Sequence, residues 1–315
     1  MDLRQLKYFV QIAETGNFSR AAEVLRIAQP SLSQQIKSLE DELGVKLFAR
    51  HAKGVTTTEH GQQLYDHARR ILQEIDDAKA TLRSQTSNPS GRISVGLPTS
   101  ACRGLSLPLY RVMAARLPNV KMHLIETMTA YLDDMIQAGR IDVALLYDHK
   151  AFEHVAWTEM ISEDLMLFVP ADSPIARRKS IPFKKLADLP LVLPGPPNVL
   201  RTVMERIAAR LDVTLNVKEC DSLPAIARLV CHAEFMAVMP HFAFVDEMQR
   251  GELVAVPIVD PVPAWTLSVV VSQRTMNKRA SEAVALVMAE MIADMVKNGT
   301  WLARLRGKKS FRKQS

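Results

Sequence analysis

Residues 18–44, FSRAAEVLRIAQPSLSQQIKSLEDELG, decide how this chain is to be read. They spell two short helices meeting at a tight corner. In the first, Phe18, Ala21, Ala22 and Leu25 recur at helical spacing, and the two alanines are small enough for another helix to pack close across them. Ile27 and Ala28 make the corner, and Pro30 suits the first turn of the next helix, where its missing N–H costs nothing. Leu32, Ile36, Leu39 and Leu43 then form an apolar stripe that faces inward until Gly44 ends the helix. The opposite face carries Pro30, Ser33, Gln34 and Lys37, with Gln29 and Ser31 at the helix start, and no acid among them. Such side chains on the second helix of a helix-turn-helix suit base edges and phosphates in a major groove. A solvated corner between two ordinary helices has the same spacing.

Working outward, residues 3–14 form a helix whose Leu3, Leu6, Phe9, Val10 and Ala13 close a three-helix core, and Asn17 or Ser19 caps the helix that follows. After Gly44 the segment VKLFARHAKGVTTTEHG suits a short β-hairpin or wing, with Arg50 and Lys53 near phosphates or simply solvated. From Thr58 a long helix runs to about Ser84. Its Leu64, Ala68, Ile71, Ile75, Ala78 and Leu82 make an a/d seam that needs a partner helix, either from a second copy or from the chain's own domain. SQTSNPSG at 84–91 breaks the pattern and reads as a hinge.

The series Leu6, Phe9, Ala21-Ala22, Gln29-Pro30, Leu32-Ser33, Leu39-Glu40, Leu43-Gly44, Leu47-Phe48 and Arg50 resembles the N-terminal domain of LysR-type transcriptional regulators, without a gap over residues 1–61. The phrase AEVLRIAQPSLSQQ further resembles the nitrogen-assimilation-control branch of that family. The resemblance implies a winged helix-turn-helix that contacts double-stranded DNA through Ser19, Gln29, Pro30, Ser31, Ser33, Gln34, Lys37, Arg50 and Lys53, and makes the 59–90 segment a dimer linker. The chain departs from the pattern where Thr57 replaces an apolar residue and His60 an alanine, which bears on how the wing packs.

Beyond Gly91 strands and helices alternate. RISVGL, KMHLIET and IDVALLY read as strands separated by helices over about 103–116 and 130–139. A second series from about 163 holds DLMLFVP, PLVLP, a helix over 199–210, TLNVKE, a helix over 223–232, FMAVMP and a helix from 241. WTLSVVVS at 265–272 returns to the first series, and a helix over 279–297 closes it. Such alternation argues for parallel α/β sheets. Two lobes joined by crossing strands resemble the effector domain of the same regulators, which is similar to periplasmic solute-binding proteins. The expected domains are therefore 1–58, the linker 59–90, and an effector and oligomerisation domain at 91–303, with lobe I over about 91–162 and 267–303 and lobe II over about 163–266.

In open α/β sheets ligands sit beyond the carboxyl ends of strands, at helix N-termini. Those ends carry Pro98, Thr99, Ser100, Met128, Thr129 and Tyr147 in the first lobe, and Pro196, Asn198, Asp221, Ser222 and Pro240 in the second. With Arg103 and Arg201 to offset a carboxylate, they suit a small polar or anionic effector. Hydroxyl and amide side chains at these places serve equally as helix caps, and the resemblance to the nitrogen-control branch also allows action without a coinducer.

Composition bounds the rest. Hydrophobic residues at 48% and charged residues at 23% are those of an ordinary globular chain, and no apolar run approaches a membrane span or signal-peptide core, so a cytoplasmic setting is expected. The net charge of +6 matches the six cations Arg304, Arg306, Lys308, Lys309, Arg312 and Lys313 of a tail, 304–315, that carries no acid. The body is thus formally neutral, and DNA affinity has to come from local placement of side chains. The tail is read as solvated, or as a source of nonspecific phosphate contacts.

Cys102, Cys220 and Cys231 read as reduced thiols, the last two also as a redox pair flanking a helix. His149 and His154 read as solvated loop residues without metal-ligand spacing. No nucleophile elbow, phosphate loop or zinc motif supports an enzyme or a cofactor. The reading is a dimeric or tetrameric regulator that also contacts RNA polymerase or competes with it. Its rival is a solute-binding module whose N-terminal helices serve only assembly.

Overall fold

The computed structural model describes residues 1–51, 54–83, 89–149, 154–232, 235–306 and 312–313, in two compact units, Met1–Ser87 and Asn88–Ser315.

In the first unit α1 (Leu3–Thr15) opens on a capping box between Asp2 and Gln5 and ends at Gly16. Asn17, rather than Ser19, caps α2 (Phe18–Leu25), accepting from the backbone N–H of Ser19 and Arg20. Arg26 then turns through the left-handed region, and α3 (Gln29–Leu43) begins with Pro30 in its first turn. Leu6, Phe9, Ile12, Ala21, Ala22, Leu32, Ile36 and Leu39 bury one core. Leu3 and Leu43, expected inside, are 46% and 38% exposed, because the outermost turns of α1 and α3 run past the contact of the three helices.

The wing is an antiparallel pair, β1 (Phe48–His51) and β2 (Gly54–Thr57). Phe48 and Val55 turn inward, with Phe48 5.2 Å from Phe9, and the Val55 N–H donates to the Gly16 carbonyl. Thr57 is therefore not needed in the core. It is half-buried, beside Gln62, and Val55 supplies the apolar anchor. Glu40 ties α3 to this wing. It is 9% exposed, and its carboxylate accepts from the Leu47 and Phe48 N–H groups at 2.9 and 3.3 Å and from Lys46 Nζ at 2.7 Å.

Burial pushes the Glu40 carboxyl upward, but the Lys46 ammonium and the two backbone donors outweigh it and hold the group below its usual range. Its contribution to stability is thus present above the usual carboxylate value and is lost as pH falls. Glu40→Ala leaves two buried donors unpaired, at roughly 1–3 kcal/mol each. Hydrogen exchange at the Leu47 and Phe48 amides of the full chain should accelerate accordingly, and unchanged rates would refute the clasp.

The linker helix α4 (Glu59–Arg83) is capped by Thr58, whose hydroxyl accepts from Gly61 N–H and donates to the Lys46 carbonyl. Gly61 is required there, since a Cβ would lie 2.1 Å from the Leu47 oxygen. The seam does not behave as one face. Ala68 is buried in the first unit's own core, with Leu64, Tyr65 and Leu72 packed against it, while Ile71 is 37% exposed and Ile75 is half-buried. The front of the seam is thus occupied by the chain's own domain, because α4 leaves the wing alongside α1. The side chains of Ala78 and Leu82, and the hinge residues 84–88, lie outside the described residues.

The second unit starts with β3 (Gly91–Pro98), α5 (Thr99–Arg116), β4 (Val120–Thr127), α6 (Thr129–Gln137), β5 (Val143–Tyr147) and β6 (Val155–Asp164). The chain then crosses to the second lobe through β7 (Met166–Pro170), β8 (Ile181–Pro182), β9 (Leu191–Leu193), α7 (Val199–Leu211), β10 (Val217–Glu219), α8 (Leu223–His232), β11 (Ala237–Met239), α9 (Val245–Gln249) and β12 (Leu253–Val259). It returns by β13 (Ala264–Ser272), α10 (Lys278–Lys297) and two short pieces, β14 (Arg304–Leu305) and β15 (Arg312–Lys313).

Lobe I is a sheet ordered β14-β6-β13-β5-β3-β4, with β15 also on β6. The pairs of β3 with β4 and β5 are parallel, but β13 is antiparallel to both β5 and β6. Lobe II orders β11-β7-β12-β8, antiparallel at β7, beside a parallel β9–β10 pair. The expectation of parallel sheets holds only for the βαβ units. The strands that carry the chain between lobes enter and leave side by side and so run opposite ways. Val143, Leu145 and Tyr147 join one buried cluster and Ala144 and Leu146 another, so both faces of β5 are covered, which explains its continuous apolar run.

Candidate DNA interface and effector cleft

On α3, Gln29, Pro30, Ser31, Gln34 and Lys37 are exposed and Ser33 is half-buried, opposite the buried stripe of Leu32, Ile36 and Leu39. Gln29 Nε2 donates to Ser33 Oγ at 2.8 Å, one turn along, which orients both side chains before any ligand arrives. Ala28 at the N-cap offers no side-chain acceptor, so the first N–H groups of α3 point outward without a cap, as a phosphate contact requires. Ser19 is exposed at the start of α2. Arg50 lies on β1 opposite Val55, and Lys53 falls outside the described residues.

In the second unit the strand ends converge on a cleft between the lobes. Pro98, Thr99, Ser100, Met128, Thr129 and Tyr147 line it from lobe I, and Asn198, Asp221 and Pro240 from lobe II. Four expected residues do not line it. Pro194 and Pro197 take the place of Pro196, and the Ser222 hydroxyl caps α8 by accepting from Ala225 N–H. Arg103 is drawn away to Asp246 and Glu247, both within 3 Å of Nη2, and Arg201 donates to Glu205 at 2.7 Å. Among the described residues the cleft therefore has no lysine, arginine or histidine in its lining, and the expected cationic partner for an anionic effector is missing: Arg103 is engaged by carboxylates of α9, and Arg201 by Glu205 one turn along its own helix.

The capping alternative is decided residue by residue. Asn198 Oδ1 caps α7 through Leu200 N–H, while Nδ2 reaches Met128 Sδ across the cleft at 3.8 Å. Pro98 and Met128 occupy the N-caps of α5 and α6 and provide no side-chain acceptor, so Thr99, Ser100 and Thr129 begin those helices without capping them. Ser100 Oγ is 3.3 Å from the Tyr147 hydroxyl.

Sequence reasoning overlooked Trp265. Its ring stacks on Tyr147 at 3.9 Å and lines the cleft. Trp265 opens β13, the strand already read as crossing between lobes, and that position was the available signal. Behind it lies Glu163, wholly buried, accepting from Trp265 Nε1 at 3.0 Å, Trp301 Nε1 at 2.9 Å and His241 N–H at 3.2 Å. Burial lifts its carboxyl to about 7 against these three donors.

Other expectations need correction. His149 is not solvated: its side chain is buried, 3.4 Å from Asp133, with its ring edge-on to Trp157. Among the described residues no group of histidine, cysteine and carboxylate side chains is placed to hold a metal ion. Cys220 and Cys231 are free thiols, the first three residues before the start of α8 and the second in its last turn; the helix is about 15 Å long, which puts them beyond the reach of a disulfide without rearrangement. The tail is not simply solvated either. Arg304 grips Asp164 through two bonds, Arg306 reaches Glu159 at 3.1 Å, and β14 and β15 pair with the outer edge of β6. Arg304 and Arg306, the tail cations whose side chains are described, are thus already neutralised within the protein.

A family model described as the bacterial regulatory helix-turn-helix protein of the lysR family matches residues 3–62, and the LysR substrate binding domain matches residues 86–304. This chain belongs to the LysR family of bacterial transcriptional regulators. The nitrogen assimilation regulatory protein nac of Klebsiella aerogenes is 31% identical over 295 residues, covering 93% of this chain and 96% of the relative, in line with the branch read from residues 22–35. A full-length OxyR from Pseudomonas aeruginosa superposes with a TM-score of 0.68 at 26% identity, covering 93% of this chain and 94% of its own. Full-length CbnR in complex with its target DNA shares the fold at a TM-score of 0.71 and 21% identity, over 93% and 99% of the two chains. The regulator is thus a DNA-binding protein with an effector-binding domain, and not an enzyme. The rival reading without DNA contact falls away. Among the described residues no helix is long and apolar enough to cross a membrane.

Proposed function

We propose that the regulator acts in the cytoplasm, on nucleoid DNA, as a dimer or tetramer that sets one α3 helix into each of two major grooves of a partly palindromic site. The observation that carries this reading is the outward face of α3, where the paired Gln29 and Ser33 stand beside an uncapped helix start. Ser31, Gln34 and Lys37 flank them, while Ser19, Arg50 and Lys53 serve the adjoining backbone. The rear of the α4 seam, from Ile71 through Ile75, Ala78 and Leu82, joins two copies. Leu64 and Ala68 are spent within the first unit, so a 1–58 fragment lacks part of its own core as well as the linker.

The interlobe cleft binds a small effector, whose closure of the lobes changes the relative angle of the DNA-binding pairs and the bend of the operator. From there the regulator contacts RNA polymerase or competes with it. DNA that copurifies with the full chain should yield a footprint of two half-sites whose centres are about 10 base pairs apart, or a multiple of that. A protected region with no repeated half-site would overturn the reading.

A further inference from the structure

The two walls of the cleft differ in charge character. On the lobe I wall, α5 and α6 begin at Thr99 and Thr129 with no side-chain acceptor at either N-cap, so the partial positive charge of both helix ends is left facing the cavity. Thr129 is 8% exposed and lines the cavity, and its hydroxyl has no hydrogen-bond partner among the described residues. On a residue so largely buried, a hydroxyl that takes no protein partner and borders the cavity is free to meet a ligand atom. On the lobe II wall stands Asp221, an exposed side chain and, among the described residues, the single charged one of the lining. Its Oδ1 accepts from Gly195 N–H at 3.0 Å, and its Oδ2 takes no described bond. The rest of the lining is largely apolar and includes Trp265, stacked on Tyr147, and Ile226 of α8. The cavity measures about 80 Å³, small beside the several hundred cubic ångströms of a drug-sized site.

We propose that the effector is a small α-amino acid bound as its zwitterion, with the carboxylate on the α5 and α6 N-termini and the Thr129 hydroxyl, the ammonium on Asp221, and the side chain over Trp265 and Tyr147. This rests on the reading of the cleft as the effector site. A simple carboxylic acid would satisfy the helix ends but meet Asp221 with no cation between them. A simple amine would satisfy Asp221 and leave the helix ends and Thr129 unpaired. A ligand carrying both charges on one carbon answers both walls, and the missing arginine is then not needed.

The test is calorimetry and thermal shift on the full chain with the standard amino acids, including phenylalanine and its two halves, hydrocinnamate and phenethylamine. At least one amino acid should bind, with its deaminated and decarboxylated analogues weaker by about tenfold or more, the loss of one charge-assisted contact. Asp221→Asn keeps an oxygen for the Gly195 N–H and removes only the charge. It should weaken the amino acid by a similar factor and leave the carboxylic acid unaffected. Thr129→Val should weaken both.

Equal binding of the analogue acid, or indifference to Asp221→Asn, overturns the zwitterion and leaves the cleft as an effector site. So does a shift caused only by another class, tested in parallel with sugars, dicarboxylates and inorganic anions, that Ile226→Trp abolishes. If no compound shifts the protein, both the ligand class and the effector reading of the cleft are overturned.

Discussion

Glu163→Leu unfolds at markedly lower denaturant than the parent, losing about 3 kcal/mol or more. Three N–H donors converge on this carboxylate, from Trp265, Trp301 and His241, and Glu163 itself is 0% exposed. Removing their acceptor leaves three buried donors unpaired, each at roughly 1–3 kcal/mol, against a small gain from the apolar side chain. The three donors come from β13, from the segment after α10 and from the turn after β11, so the loss loosens the junction of the lobes, and the C-terminal strands go with it. Urea denaturation of the full chain measures this, and a midpoint within error of the parent's would refute it.

The same carboxyl gives a pH dependence of definite sign. Burial raises it from 4.5 to about 7, and the neighbouring Asp164 adds to the rise, while the indole and backbone donors oppose it. A folded-state value above the unfolded one means that the stabilisation is complete below pH 4.5 and is lost as pH rises through about 7. The span corresponds to about 3 kcal/mol. Glu163→Gln should flatten the stability profile across that window. A profile as steep as the parent's would assign the titration to another group.

Gln29→Ala and Ser33→Ala each weaken binding to the cognate operator by about 1–3 kcal/mol, roughly tenfold to a hundredfold, with little change in nonspecific DNA affinity. Both side chains lie on the outward face of α3, and each orients the other through the 2.8 Å bond, so the double variant should lose less than the sum of the single ones. Stability should stay within about 0.5 kcal/mol, because neither residue belongs to the buried stripe. Mobility shifts on operator and scrambled DNA, at matched salt, separate the effects. Equal loss on both DNAs would make these residues phosphate contacts, and no loss would move the reading head elsewhere.

The first unit was legible in its helices and its core, because that information is local, while the structure chose Asn17 over Ser19 as the cap of α2 and added the Asp2–Gln5 box. Ala21 and Ala22, the stripe Leu32-Ile36-Leu39, Pro30 and Gly44 each act within a turn or two of where they stand, and α3 forms where its own spacing requires. Even there, exposure at Leu3 and Leu43 depended on where neighbouring helices stop. The α4 seam shows the limit more sharply. Its period calls for a partner, but the period is the same whether the partner is α1 or a second copy, and only the packing assigns Leu64 and Ala68 to the first.

In the second unit most βα alternation was readable, but β6 and β12 were not anticipated. VAWTEMISED alternates weakly, and its pairing with β13 slips in register between Leu267 and Ser268, opposite Ile161 and Glu159, while LVAVPIV carries a proline that argues against a strand. Candidate cleft residues on strand ends were placed well, since topology puts those ends together, whereas Arg103 and Arg201 were misjudged.

By itself, the sequence determined the helix-turn-helix with its wing, the two α/β lobes and the location of a cleft, which follow from periodicity and short-range signals, and its resemblance to LysR-type regulators supplied the family. Only the tertiary structure decided the chemistry of that cleft. That Arg103 was already engaged by Asp246, and that the Trp265 indole meets Glu163 behind the cleft, depend on residues more than a hundred positions apart, and no local pattern encodes such pairings; the Arg201–Glu205 pair, four residues apart, is local by contrast.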